Sequence, residues 1–201
     1  MIDLTRALYR GHPNWPGDTP FTLEPTSKIA EGAAVNVMAL STSTHVGTHL
    51  DAPYHYDEDG VRLGEVALER LSGPAQVIYA LAGLEAGLLE PFPRLPERVL
   101  FFTGQPEVWE AFPERFHTFS PEVIHLLADR GVRLIGTDAP SVDALNSKDL
   151  PAHRACAERD VLILEGLNLQ GVNEGRYELL CLPLNLPEAD ASPVRAVLRK
   201  P

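Results

Sequence analysis

Three histidines and an aspartate fall within one short stretch, at His45, His49, Asp51 and His55. Each neutral imidazole offers a nitrogen lone pair and the carboxylate adds an anionic oxygen, a donor set suited to zinc or manganese. All four positions are odd-numbered, so on an extended chain, where side chains alternate, they project to one side. On a helix, His45 and His49 would align while Asp51 and His55 turned away, and Gly47 and Pro53 disfavour a helix here, so the segment is expected to be extended with some bending at both breakers. The competing reading is a polar turn with solvated histidines, and the clustering at matched parity outweighs it. A strand-end segment cannot surround an ion, so further donors are expected from elsewhere in the chain. Glu165 ends the apolar run 161–164, where a buried carboxylate needs a partner. His153, shortly before it at the start of an expected helix, can approach from the same side. His12, His117 and His125 are assigned structural roles.

The elements that must position these residues follow from the surrounding pattern. Apolar residues alternate over 35–43, as in a half-buried strand, and this strand is expected to run directly into His45. Residues 1–30 are rich in turn formers, among them Gly11, Pro13, Pro16, Gly17 and Pro20, and predict an irregular arm ordered by packing against another surface. Further strands are expected at 76–81, 99–103, 132–135, 161–164, 177–182 and 194–198. Ser120, Pro121 and Glu122 form a helix-start signal before an apolar stretch that Gly131 stops. A second helix is expected over 150–158. Strands interspersed with few helices indicate an α/β fold, a single mixed-sheet domain spanning 1–201, with a strand order that the pattern leaves open.

The chain has 201 residues, enough for one substantial core. Its formal net charge of -11 argues against nucleic acid or an anionic membrane as partner. No apolar run reaches membrane-spanning length, and no export-signal pattern is evident, which leads to the expectation of a cytoplasmic protein. Cys156 and Cys181 are then expected as reduced core thiols rather than a disulfide.

The segment from His45 to His55 resembles the H-x-G-T-H-x-D-x-P-x-H motif of the cyclase family of metal-dependent hydrolases. Trp15-Pro16-Gly17-Asp18 resembles the family's N-terminal element, and Gly136-Thr137-Asp138-Ala139-Pro140-Ser141-Val142-Asp143 its central one. The spacing of His153 and Glu165 resembles its second ligand pair, and Tyr177 to Leu184 with Asp190 to Arg195 its C-terminal strands. The resemblance implies a swivelling β/β/α-like fold, metal ligation by His45, His49, Asp51, His153 and Glu165, and a catalytic role for His55. One departure is visible: Gly166 stands where an asparagine is more often expected, which puts a supporting hydrogen bond in doubt but not the ligand before it.

Five protein ligands exceed the three that a catalytic zinc ion keeps. Two zinc ions per subunit, with manganese the main rival, would use all five and share a carboxylate. The combination of motifs points to the family's formamidase branch. That implies hydrolysis of N-formyl-L-kynurenine to L-kynurenine and formate, in tryptophan degradation. Trp15 is a candidate to stack on the substrate's aniline ring, or equally a packing anchor for the arm. The resemblance also implies a homodimer or larger homo-oligomer whose N-terminal arm reaches a neighbouring site. A related enzyme acting on a cyclic amide such as isatin would share every ligand and differ only in its pocket. A metal-binding protein without turnover is disfavoured by His55, which has little use beyond the ligands.

Overall fold

In the computed structural model, which describes residues 1–200, the chain order begins with β1 (Ile2–Asp3), β2 (Thr22–Ser27), β3 (Val37–Ser41) and β4 (His49–Asp51). It continues with β5 (Ser72–Tyr79), β6 (Arg98–Phe102), α1 (Pro121–Asp129), β7 (Leu134–Thr137) and α2 (Pro151–Glu158), and ends with β8 (Leu162–Glu165), β9 (Gly175–Pro183) and β10 (Ala191–Arg199). The main sheet runs β1-β10-β4-β8-β7-β6-β5-β9, and β9 also pairs with β10, closing it into a barrel-like arrangement. Strands β5 to β8 are parallel, as crossover connections require, and every junction involving β4, β9 or β10 is antiparallel. The mixed α/β reading with few helices holds. No helix among the described residues is long and apolar enough to cross a membrane.

Alternation on the parallel strands divides the core in two. Leu100, Leu134, Leu162 and Leu164 turn into the barrel with Leu50, Cys181 and Ala196. Val99, Phe101, Ile135 and Ile163 turn outward against Val123, Ile124 and Leu127 of α1 and Ala152, Ala155 and Cys156 of α2. Burial on both faces explains the unbroken apolar runs, each large side chain contributing about 1.5–3 kcal/mol. Helix α1 begins as its sequence dictates: Ser120 accepts from the Val123 backbone N–H and Pro121 occupies the first turn. Gly131, at φ +87°, follows its end.

The segment before the site differs from expectation. Residues 1–30 include β1 and β2, so the segment expected to be irregular contributes paired strands. Strand β3 pairs with β2 in a separate two-stranded sheet, ends at Ser41 and is exposed along its whole length. Its alternation therefore does not reflect burial within this chain, and it does not run into His45. Turns intervene, and extended pairing resumes only at His49.

Candidate metal centre

Strand β4 is three residues long and sits between β10 and β8, with His49 opposite Glu165 across the antiparallel pair. Gly47, at φ +60°, turns the chain so that His45 approaches from before the strand. Pro53 opens a short turn, Pro53–His55, that brings His55 back from after it. Convergence thus comes from turns on both sides of a short strand rather than from one long pleat. His153 arrives from α2 and Glu165 from the end of β8.

The donor atoms form two groups that share Asp51. His45 Nδ1 and His49 Nε2 lie 3.1 and 3.3 Å from Asp51 Oδ1. On the other side, His153 Nε2 lies 3.7 Å from Asp51 Oδ2 and 3.8 Å from Glu165 Oε1. Glu165 Oε2, 3.4 Å from His49 Nε2, links the groups. These separations bracket the roughly 3.3–3.4 Å between ligands around a tetrahedral ion with bonds of about 2.0–2.1 Å. Both Asp51 oxygens and His49 Nε2 are buried yet make no hydrogen bond. Their lone pairs face common points rather than each other. Carboxylates as buried as Asp51 and Glu165 cost several kcal/mol each without compensating charge. The arrangement fits divalent cations.

Each candidate imidazole ligand is held by its other nitrogen. Asp143 Oδ2 lies 2.7 Å from His153 Nδ1, the Gly47 carbonyl 3.1 Å from His49 Nδ1, and Asp190 Oδ2 3.0 Å from His45 Nε2. Such partners fix the tautomer and point the remaining lone pair at the ion. Glu165 is oriented by the Val142 backbone N–H, which donates to Oε1 at 2.8 Å. Burial disfavours imidazolium at all three histidines, but the acids outweigh it in the metal-free site. Asp51 and Glu165 raise His49 to about 10, Asp143 and Asp51 raise His153 to about 10, and Asp190 and Asp51 raise His45 to about 9. Against burial, His49 and its fellow imidazoles hold the Asp51 carboxyl well below the usual range. The acids of the site favour positive charge within it.

Gly166 has a local cause. Its φ is +63°, and a Cβ there would lie 2.1 Å from the Gly47 oxygen, the atom that holds His49. The close approach is knit by Thr48 Oγ1, which donates to the Gly166 oxygen and accepts from the Arg6 backbone N–H.

The cluster opens onto a cavity of about 270 Å³ lined by Trp15, Asp18, Trp109, Phe112, Ser141 and Leu150. Trp15 and Phe112 meet edge to face at 5.4 Å, and Trp109 stands 6.0 Å from Phe112. No lysine or arginine lines this cavity among the described residues. Arg6 fixes the loop carrying Trp109: its guanidinium lies 3.9 Å over the indole and donates to the carbonyls of Pro106, Glu107, Asp138 and Leu167.

His45, His49, Asp51, His55, His153 and Glu165 are therefore brought together, and Trp15 lines the adjoining cavity of the same chain. His12 is buried between Tyr9 and Trp109, outside the cluster, and His125 pairs with Glu158 across the helices. The sequence reading did not single out Asp143, Asp190, Trp109 or Phe112. Both aspartates lie within motifs, but only the fold shows what they touch. The two aromatics lie in a loop without periodicity.

The chain matches the Cyclase family model ("Putative cyclase") over residues 2–144. It is 42% identical to the kynurenine formamidase of Paracidovorax citrulli, over 100% of this chain and 97% of that protein. Identity to the kynurenine formamidase of Geobacillus thermodenitrificans is 44%, over 99% and 97%. Among solved structures, a potential metal-dependent hydrolase with cyclase activity superposes with a TM-score of 0.82 at 28% identity, covering 99% of this chain and 98% of that one. Isatin hydrolase A from Ralstonia solanacearum gives 0.79 at 25% identity, covering 98% and 90%. With a family match across most of its length and relatives this similar from end to end, the chain belongs to the Cyclase family.

Proposed function

We propose that this chain is a kynurenine formamidase, a metal-dependent hydrolase that converts N-formyl-L-kynurenine to L-kynurenine and formate in tryptophan degradation. The observation that carries the reading is a histidine–carboxylate cluster able to hold a metal and opening directly onto an aromatic-walled cavity, in a chain 42–44% identical to kynurenine formamidases over its full length. His45, His49 and Asp51 would hold one ion and Asp51, His153 and Glu165 a second, with zinc the expected metal and manganese the alternative. Divalent ions at such a site supply Lewis acidity toward the formyl oxygen and make water acidic enough to ionise near neutral pH.

The chain's own residues do the rest. Trp15, Phe112 and Trp109 stack on the aniline ring and place the formyl group over the cluster. His55, with its side chain 32% exposed at the cavity, takes the proton of the attacking water and delivers it to the departing arylamine nitrogen. Asp18 offers an anionic contact for the substrate ammonium, in a cavity that no lysine or arginine lines among the described residues. Burial by stacked aromatic rings excludes competing water from the reacting carbon.

The exposed apolar side chains Val35, Val37, Met38 and Leu40 on and beside the β2–β3 hairpin support a homodimer or larger assembly. Two buried, unpaired cysteines agree with a reducing, cytoplasmic setting.

The test is hydrolysis of N-formyl-L-kynurenine by chelator-stripped protein reconstituted separately with zinc and manganese. Turnover restored by metal is expected. Bound metal without turnover on this substrate, together with turnover of isatin, would replace the formamidase reading with a cyclic-amide hydrolase.

A further inference from the structure

Asp190 stands immediately before β10, and its place is fixed by the backbone. Its carbonyl accepts from the Ala52 N–H at 2.8 Å, extending the β10–β4 ladder by one rung, and the neighbouring Ala189 carbonyl accepts from Leu63. The side chain consequently lies over the two turns that flank β4. Thr44 Oγ1 donates to Oδ1 at 2.9 Å and fixes the plane of the carboxylate. Oδ2 then faces two imidazoles at once: His45 Nε2 at 3.0 Å and His55 Nδ1 at 3.6 Å. The two rings lie against each other, 3.9 Å between centroids and 41° apart.

From this geometry we infer that Asp190 is a positioning residue acting through two histidines, holding His45 as a ligand and His55 as the proton carrier with a single carboxylate oxygen. The inference rests on the proposed hydrolase reading for His55, whereas the His45 half depends only on metal binding. An acceptor at His45 Nε2 places the proton there and leaves the Nδ1 lone pair toward Asp51. The same oxygen, 3.6 Å from His55 Nδ1 and so an electrostatic rather than a hydrogen-bonded partner, favours the proton on that nitrogen and leaves Nε2 free for the cavity. Ligation and proton transfer are thereby tied to the same group, contributed by the connection between β9 and β10. Asp190, His45 and His55 also come close enough together to suggest a third cation site. That would require His45 to use both nitrogens as ligands, Nδ1 being committed to the Asp51 side, so a hydrogen-bonding role is the consistent one.

The experiment compares the metal-loaded native protein with Asp190→Asn, alone and combined with His55→Ala. Zinc affinity, read by competition with a chromophoric chelator in the absence of substrate, should weaken about tenfold or more, with the number of bound ions unchanged. On N-formyl-L-kynurenine, kcat should fall about 100-fold with KM altered less than about twofold. In the His55→Ala background the same substitution should cost less than about threefold further. Unchanged zinc affinity would overturn the His45 half, and an undiminished loss in the His55→Ala background the His55 half. A loss of one bound ion would make Asp190 a ligand instead.

If Asp190→Asn does not fold, Thr44→Val, which removes only the bond fixing the carboxylate plane, should give smaller losses in both readouts. No change in either would overturn the inference. A native protein that binds zinc yet does not turn over the substrate would refute the formamidase reading, while the affinity comparison would still decide the role of Asp190 at His45.

Discussion

Asp143 and His153 are joined twice through one oxygen: Asp143 Oδ2 accepts from the His153 backbone N–H at 3.0 Å and meets its ring Nδ1 at 2.7 Å. The other oxygen accepts from the Ala152 N–H at 3.0 Å. Leu150, at the helix start, has φ 44° and no capping side chain, so the carboxylate that caps α2 comes from the preceding loop. The first turn of α2 and the direction of a candidate ligand are set by the same group.

Asp143→Ala should therefore destabilise the metal-free protein and weaken metal binding together. Loss of the cap and of a buried acceptor costs about 1–3 kcal/mol. Denaturant titration without metal, and chelator competition with it, measure the two effects. Normal metal affinity in a destabilised protein would confine Asp143 to the cap.

Gly166→Ala should impair the centre without touching a donor atom. A left-handed φ costs a non-glycine residue roughly 1–2 kcal/mol, and here the added Cβ also meets the Gly47 oxygen. Displacing that carbonyl releases the ring of His49. Lower metal affinity is the expected result, read by the same competition assay. Unchanged affinity with lowered stability would show that the clash relaxes away from His49.

His55→Ala should lower kcat by about 100-fold to 10,000-fold while bound metal, measured by elemental analysis, stays at the native level. Loss of metal alongside activity would make His55 a ligand. Near-native turnover would remove it from the reaction.

Metal uptake should release protons. In the metal-free site the acids hold His45 near 9 and His49 and His153 near 10, so all three carry protons at pH 7. An incoming ion must displace them. Calorimetry in buffers of different ionisation enthalpy counts the protons, with up to three expected per chain. Raised folded-state values also set the sign for stability of the metal-free form. The contribution is fully present below about pH 6.5, the ordinary imidazole value, and fades as pH rises through 9 to 10. Metal-free protein that becomes more stable over that alkaline range would contradict this account.

How far the site was legible depended on whether neighbours in sequence or neighbours in space were required. Donor types and spacing drew attention to His45, His49, Asp51 and His55. The parity argument placed all four on one extended segment with some bending at Gly47 and Pro53; only His49 and Asp51 share a strand, and the bends are full turns. Gly47 and Pro53, noted as helix breakers, are what turn the flanking histidines inward. Likewise the apolar run before Glu165 announced a strand covered on both faces, but nothing in it disclosed that His49 would lie opposite that glutamate. Asp143 and Asp190 are two among 28 acidic residues, and no local pattern marks an acid that will meet a ring from another element. Strand β3 shows the converse. Its alternation was clear, yet no surface among the described residues covers it.

The placement of β4 has a consequence for the order of events during synthesis. This three-residue strand leaves the ribosome well before either of the strands that flank it, β8 and β10. Until they arrive the histidine segment has no sheet to join, and such distant pairings form slowly because long loops must close first. A nascent chain can offer His45, His49 and Asp51 to an ion, but not His153, Glu165 or Asp190. Stable loading of the proposed centre would therefore wait for β8 and β10, and a ribosome-bound fragment ending before α2 would hold an ion only loosely.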